Sequence, residues 1–139
     1  MATYNKINQF VEDLAHGVHN LGSDQLVSFL TAAANAPVAT NSVLADLTQI
    51  SYTNLSSRNI TTSSSAQTTG TYKLVLTDLV LTASGAVATF RYAGMYNDTP
   101  TAPADPLISW WDYGSDVTLA SGETFTYDFD ATNGVLQLA

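Results

Sequence analysis

Between residues 108 and 130 the chain reads ISWWDYGSDVTLASGETFTYDFD. Trp110 and Trp111 stand beside Asp112, Tyr113 and Asp116, and Glu123 leads into Phe125, Tyr127, Asp128, Phe129 and Asp130. Residues of these types serve several chemistries. Aromatic faces gathered on one exposed surface make a platform for sugars. Two carboxylates set apart across a cleft hydrolyse glycosides, and Asp112, Asp116 and Glu123 supply the acids. DFDATNG (128–134) approaches the start of a calcium loop, D-x-[DN]-x-[DN]-G, but the spacing fails. Thr132 stands where the third ligand belongs and Asn133 where the glycine belongs. A hairpin turn accounts better for ATNG, because Asn-Gly tolerates positive φ.

The elements that carry these residues argue for a bland role. Phe125, Tyr127 and Phe129 alternate with Thr124, Thr126, Asp128 and Asp130. Strict period two is the mark of a half-buried antiparallel strand, with aromatics inward and acids in solvent. Trp110 and Trp111 are neighbours, so they face opposite ways: one belongs in the core, the other on the surface or in a contact. By this reading the stretch is two faces of adjacent strands and not a site. His16 and His19, three apart near a helix end, have the types for a metal pair. Gly17 lies between them and no third ligand is evident, while a helix C-terminus favours histidines in any case. No G-x-S-x-G elbow, P-loop or dinucleotide fingerprint occurs.

Composition excludes some partners. The chain has 139 residues, no cysteine, and a formal net charge of −8 with only four basic residues, Lys6, Arg58, Lys73 and Arg91. Phosphate binding needs clustered Lys and Arg, which argues against nucleic acid and anionic membranes. Without cysteine there are no disulfides and no thiolate chemistry. Residues 1–10 lack the basic and apolar regions of a signal peptide. The expected site of synthesis is the cytoplasm.

Along the chain, Ile7, Phe10, Val11, Leu14, Val18 and Leu21 form an apolar stripe at helical spacing. This predicts one amphipathic helix from about residue 5 to 16, capped by Thr3 or Asn5 and ended by Gly17 or Gly22. Residues 25–31 predict a strand, 32–42 a loop, and 43–50 a helix of about two turns. The Ser/Thr-rich segment 50–70 predicts one or two edge strands or an exposed loop. Strands follow at 71–83, 86–97, 107–114, within 116–130 and at 135–139, and a loop at 98–106 holds three of the four prolines. Strand after strand with regular turn signals predicts one mainly β domain over residues 1–139. Its architecture would be an antiparallel β-sandwich or jelly roll over 25–139, with an N-terminal amphipathic helix or arm over 1–24.

Several stretches carry a resemblance. YNKINQFVEDLAHGVHNLGSDQL (4–26), APVATNSVLADLTQI (36–50), SAQTTGTYKLVLTDLVLTASG (65–85), FRYAGMYNDT (90–99) and DPLISWWDYGSDVTLASGETFTYDFDATNGVLQLA (105–139) together resemble a family of small structural proteins of tailed bacteriophages. The similarity covers nearly the whole chain, and its motifs are structural. It implies a non-enzymatic virion protein, most simply a capsid decoration (cement) protein on the outside of the head. Its partners would be the major capsid protein and other copies of itself, with a trimer favoured over a dimer. No catalytic residue, cofactor or metal is implied. The expected contact residues are Tyr4, Ile7 and Phe10 of the N-terminal segment and Trp110, Trp111 and Tyr113; for the first three the competing expectation is helix-to-sheet packing. The alternative role is a receptor- or glycan-binding module on a tail or fibre.

Overall fold

The computed structural model describes residues 2–139. Its largest sheet holds the two longest strands. Strand β2 (Leu26–Thr31) is buried at every position, because it lies inside the sheet with both faces covered. It pairs with β7 (Phe90–Asn97), which pairs in turn with β8 (Leu107–Val117). The edges are β1 (Tyr4–Lys6) beside β8 and β3 (Asn59–Ile60) beside β2, giving the order β1-β8-β7-β2-β3. A second sheet has the order β10-β5-β4, from β10 (Leu136–Leu138), β5 (Thr71–Leu76) and β4 (Thr62–Thr68). The third pairs β6 (Leu79–Thr82) with β9 (Thr124–Tyr127). Every pairing of these strands is antiparallel. The fold is therefore mainly β and sandwich-like, with one short N-terminal helix, as the strand spacing predicts.

The layers meet in a single apolar cluster that includes Phe29, Leu30, Leu74, Leu76, Leu81, Phe90, Met95 and Ile108. Leu74 and Leu76 point inward from β5 while Lys73 and Val75 are half-buried, the alternation its sequence predicts. The Ser/Thr-rich segment forms β3 and β4, and both are edge strands, where small polar side chains meet solvent at little cost.

The N-terminal segment departs from expectation. The helix, α1, spans only Asn8–Ala15, and Tyr4–Lys6 is a strand bound to Ser109–Trp111 of β8. Neither Thr3 nor Asn5 caps it. The N–H of Asn8 instead donates to Ala39 O at 2.9 Å, satisfying one free helix donor from a distant loop. The C-terminus follows the chemistry foreseen for Gly17. That glycine sits at φ 76°, its N–H donates to Leu14 O, and Val18 N–H donates back to Asp13 O at 2.9 Å. This is a Schellman closure, and the left-handed residue it requires is the glycine. Val11, placed on the apolar stripe by spacing, is exposed because α1 buries only a narrow face carrying Phe10 and Asp13.

Two other expectations are corrected. Residues 43–50 hold one 3-10 turn at Leu44–Asp46, not a two-turn helix. Asp46 folds back onto the N–H groups of Ser42 and Val43, which closes a turn rather than opening a helix. ATNG does turn the chain, but it makes no hairpin. β9 pairs with β6 and β10 pairs with β5, so this turn carries the chain from one sheet to another. Val135 N–H bonds Leu74 O at 2.8 Å on arrival.

A candidate aromatic binding cleft

The alternation of 124–130 holds: Phe125 is half-buried, Tyr127 and Phe129 are buried, and Thr124, Thr126, Asp128 and Asp130 are exposed. Its consequence is larger than a packed strand. β9 lies across from β8, and the inward aromatics of the two do not close the space between them. A cleft of about 650 Å³ remains, walled by Tyr4, Trp111, Tyr113, Phe125, Tyr127 and Phe129. The structure thus brings together three of the six expected contact residues, Tyr4, Trp111 and Tyr113.

Each wall has a local cause. β1 pairs in register so that Tyr4 lies opposite Trp111, and their rings meet edge to face at 5.6 Å. Trp111 also packs near Tyr127 and Phe129, with ring centroids 6.2 and 6.3 Å away. Tyr113 meets Phe125 edge to face at 5.6 Å, and Phe125 meets Tyr127 at 5.8 Å. Such pairs are worth about 0.5–1.5 kcal/mol each beyond their buried area, so they hold the walls in place without a ligand. Exposure rises from 6% at Tyr127 on the floor to 56% at Tyr113 at the mouth.

The floor is pinned by one hydroxyl. Tyr127 Oη lies 3.2 Å from Phe29 O and 3.1 Å from Gly94 O, and its single proton is shared between carbonyls of β2 and β7. Burial pushes this phenol far above its usual pKa, so it stays a donor. Tyr127→Phe is expected to cost about 1–2 kcal/mol in urea denaturation while the near-UV spectrum of the aromatics is retained. A change below 0.3 kcal/mol on the order-of-magnitude scale of surface substitutions would show that the hydroxyl does not join the layers.

The charged groups around the cleft are acidic. Asp128 and Asp130 line it just past the end of β9. Asp130 is held below the usual carboxylate range, first by the Asn133 N–H, then by the Asn133 side chain and the Thr132 N–H. Its oxygens close the 130–133 turn, with Thr132 N and Asn133 N both at 2.8 Å. Burial pushes the Tyr4 phenol up. The cleft thus presents π faces and edges, phenol hydroxyls and carboxylates.

The other expected residues are placed elsewhere. Ile7 and Phe10 are 0% and 4% exposed and belong to the core of this chain, in the helix-to-sheet packing that is the competing expectation for them. The expectation of one core and one surface tryptophan is also revised. Trp110 and Trp111 are both half-buried on opposite faces of β8, each packed against the core with part of its ring outside. Of the acids Asp112, Asp116 and Glu123, two are engaged with other partners. Asp112 takes a two-point ion pair from Arg91, at 2.9 and 3.0 Å, and Glu123 accepts from Ala120 N–H in its own turn. The Arg91 guanidinium, then the Gly114 N–H, hold Asp112 below the usual carboxylate range. His16 is exposed beside Glu12, whereas His19 is buried, so the two do not converge. Among the described residues no cluster of three or more His, Cys, Asp or Glu is arranged for a metal. No helix among them is long and apolar enough to cross a membrane.

One polar constellation escaped the sequence reading. His19 Nδ1 lies 3.1 Å from Asn97 Nδ2, and Asn97 Nδ2 donates to Asp24 Oδ2 at 2.6 Å. No local pattern announces it, since 78 residues separate His19 from Asn97. Comparison of the chain with protein-family models, curated protein sequences and solved structures finds no match.

Proposed function

We propose that this chain is a non-enzymatic virion structural protein of a tailed bacteriophage that binds the outer surface of the head and bridges major capsid subunits. The observation that carries a docking role is the aromatic cleft, held open by its own edge-to-face pairs and ending in an exposed Tyr113. Large aromatic side chains in a preformed recess are what protein partners exploit as binding hot spots. The family resemblance of the sequence supplies the virion, the head and the self-association, with a trimer as the favoured state. The protein works without cofactor, nucleic acid or membrane.

The test is co-sedimentation of the purified protein with empty capsids and, separately, with isolated tails. Binding to capsids at a fixed stoichiometry is the expected result. Tyr113→Ala should lower the bound fraction about tenfold, the scale of a hot-spot truncation, while the melting temperature falls only by the few degrees that the lost Phe125 contact is worth. Binding only to tails or host cells overturns the head assignment. It would promote a second reading, a tail or fibre module for receptors or glycans, which the aromatic walls also favour because sugar rings pack on aromatic faces.

A further inference from the structure

We propose that the aromatic cleft receives the guanidinium or ammonium group of an arginine or lysine presented by a protein partner. This rests on the docking role above and names the chemistry of the contact. Tyr4, Trp111, Tyr113 and Phe125 offer rings whose faces are electron-rich, and a cation over such a face is attracted by the ring quadrupole.

The charges point the same way. Asp128 and Asp130 line the cleft, and none of the chain's four basic residues does. The ion pairs among the described residues are His16–Glu12 and Arg91–Asp112, so neither rim aspartate is in one. Lys73 is the nearest competitor. Its Nζ donates to Thr132 O at 3.2 Å, and its charge helps keep Asp130 ionised. Asp128, exposed on the outward side of the alternation, reaches the cleft at its rim and is the carboxylate there that closes no turn and joins no ion pair among the described residues. A recess with low-dielectric walls and acids of one sign focuses a negative potential, and the net charge of −8 extends it outward. An anionic group is repelled from this cleft. A neutral sugar gains nothing from the field, whereas a basic side chain gains from both the rings and the rim.

The experiment uses the full chain and follows the Trp111 indole N–H by ¹H–¹⁵N NMR. The probes are acetyl-Gly-Arg-Gly-amide, its Gln counterpart and methyl α-glucoside. The expected result is a saturable shift of Trp111 with the Arg peptide alone. It should weaken about fivefold in Asp128→Asn and fall as salt rises, with folding intact because Asp128 is exposed. No shift with the Arg peptide, an equal shift with the Gln peptide, or saturation by the glucoside overturns the inference. The docking role fails separately. If the wild type sediments with capsids and Asp128→Asn and Tyr113→Ala do so equally well, the cleft contact is wrong and docking stands. If the wild type ignores capsids, docking fails while the peptide titration still decides the ligand class of the cleft.

Discussion

Gly94→Ala is expected to lower stability by about 3 kcal/mol or more, enough to leave much of a marginal domain unfolded at 37 °C. Gly94 stands in the middle of β7, opposite Phe29 of β2 on one side and Trp110 of β8 on the other. Its φ is unremarkable for a strand; the constraint is space. A Cβ here would run into the Phe29 ring and sit 2.7 Å from Ser109 O. The ring is 0% exposed and hemmed in by the core, and the carbonyl belongs to the sheet. Neither can yield without moving β2 against β8. The strain falls where Tyr127 holds the layers together, since its hydroxyl reaches the carbonyl of Gly94 itself. Urea denaturation monitored by tryptophan fluorescence reads the effect. The double variant Gly94→Ala with Phe29→Leu should recover part of it, because shortening the side chain removes one of the two clashes. Wild-type stability in the single variant would mean that β2 and β7 pack less closely than the geometry requires.

Mild acid is expected to weaken the protein through one histidine. The Asn97 amide is oriented from both ends: Thr99 N–H donates to its Oδ1 at 3.1 Å, and its Nδ2 donates to Asp24 Oδ2. His19 Nδ1 therefore faces an N–H and must accept, which makes the imidazole neutral with its proton on Nε2. That nitrogen is buried without a partner. Burial pushes the His19 pKa below its usual 6.5, and Asp13 from α1 and Asp24 from the following connection oppose the shift without reversing it. The unfolded chain thus takes up a proton more readily than the folded one. Stability from this site is complete above about pH 6.5 and is lost as pH falls through that value toward the lower folded pKa. A proton on Nδ1 would face the Asn97 amide and part the 19–24 connection from the end of β7. Melting temperature should drop between pH 7.5 and 5 on the order of the histidine titration range, and His19→Gln should remove this slope while lowering stability throughout. Asp112 and Asp130, whose folded pKa values are depressed, act in a separate window and lose their contribution nearer pH 4 and below. An unchanged slope in His19→Gln would assign the acid sensitivity to other groups.

Much of the architecture is written in local periodicity. Alternation at 124–130 states which side chains face inward, because successive residues of a strand point to opposite sides. The strand formers of 25–31 mark a strand, though its place inside the sheet, with Ser28 and Thr31 buried, is set by its neighbours, and the Ser/Thr-rich 59–68 marks edges. Gly17 marks the helix end, since a left-handed closing residue is cheapest as glycine. The acidic balance and the aromatic crowding of 108–130 belong to the sequence as well. What these residues enclose does not. Asn5 and Lys6 read as the start of a helix, yet Tyr4–Lys6 becomes a strand because β8 offers it a row of hydrogen-bond partners more than a hundred residues away. Ile7 and Phe10 are drawn inside by that docking, while Tyr4 is carried to Trp111. The turn at 131–134 looks like a hairpin, yet β10 takes its partner from β5. The aromatics of β8 and β9 face each other across separate sheets, and the empty space between them exists only in three dimensions. Sequence alone determined the kind of fold and the side chains available for recognition. Tertiary structure alone decided that they form a cleft, because a gap between layers depends on long-range pairing that no local window encodes.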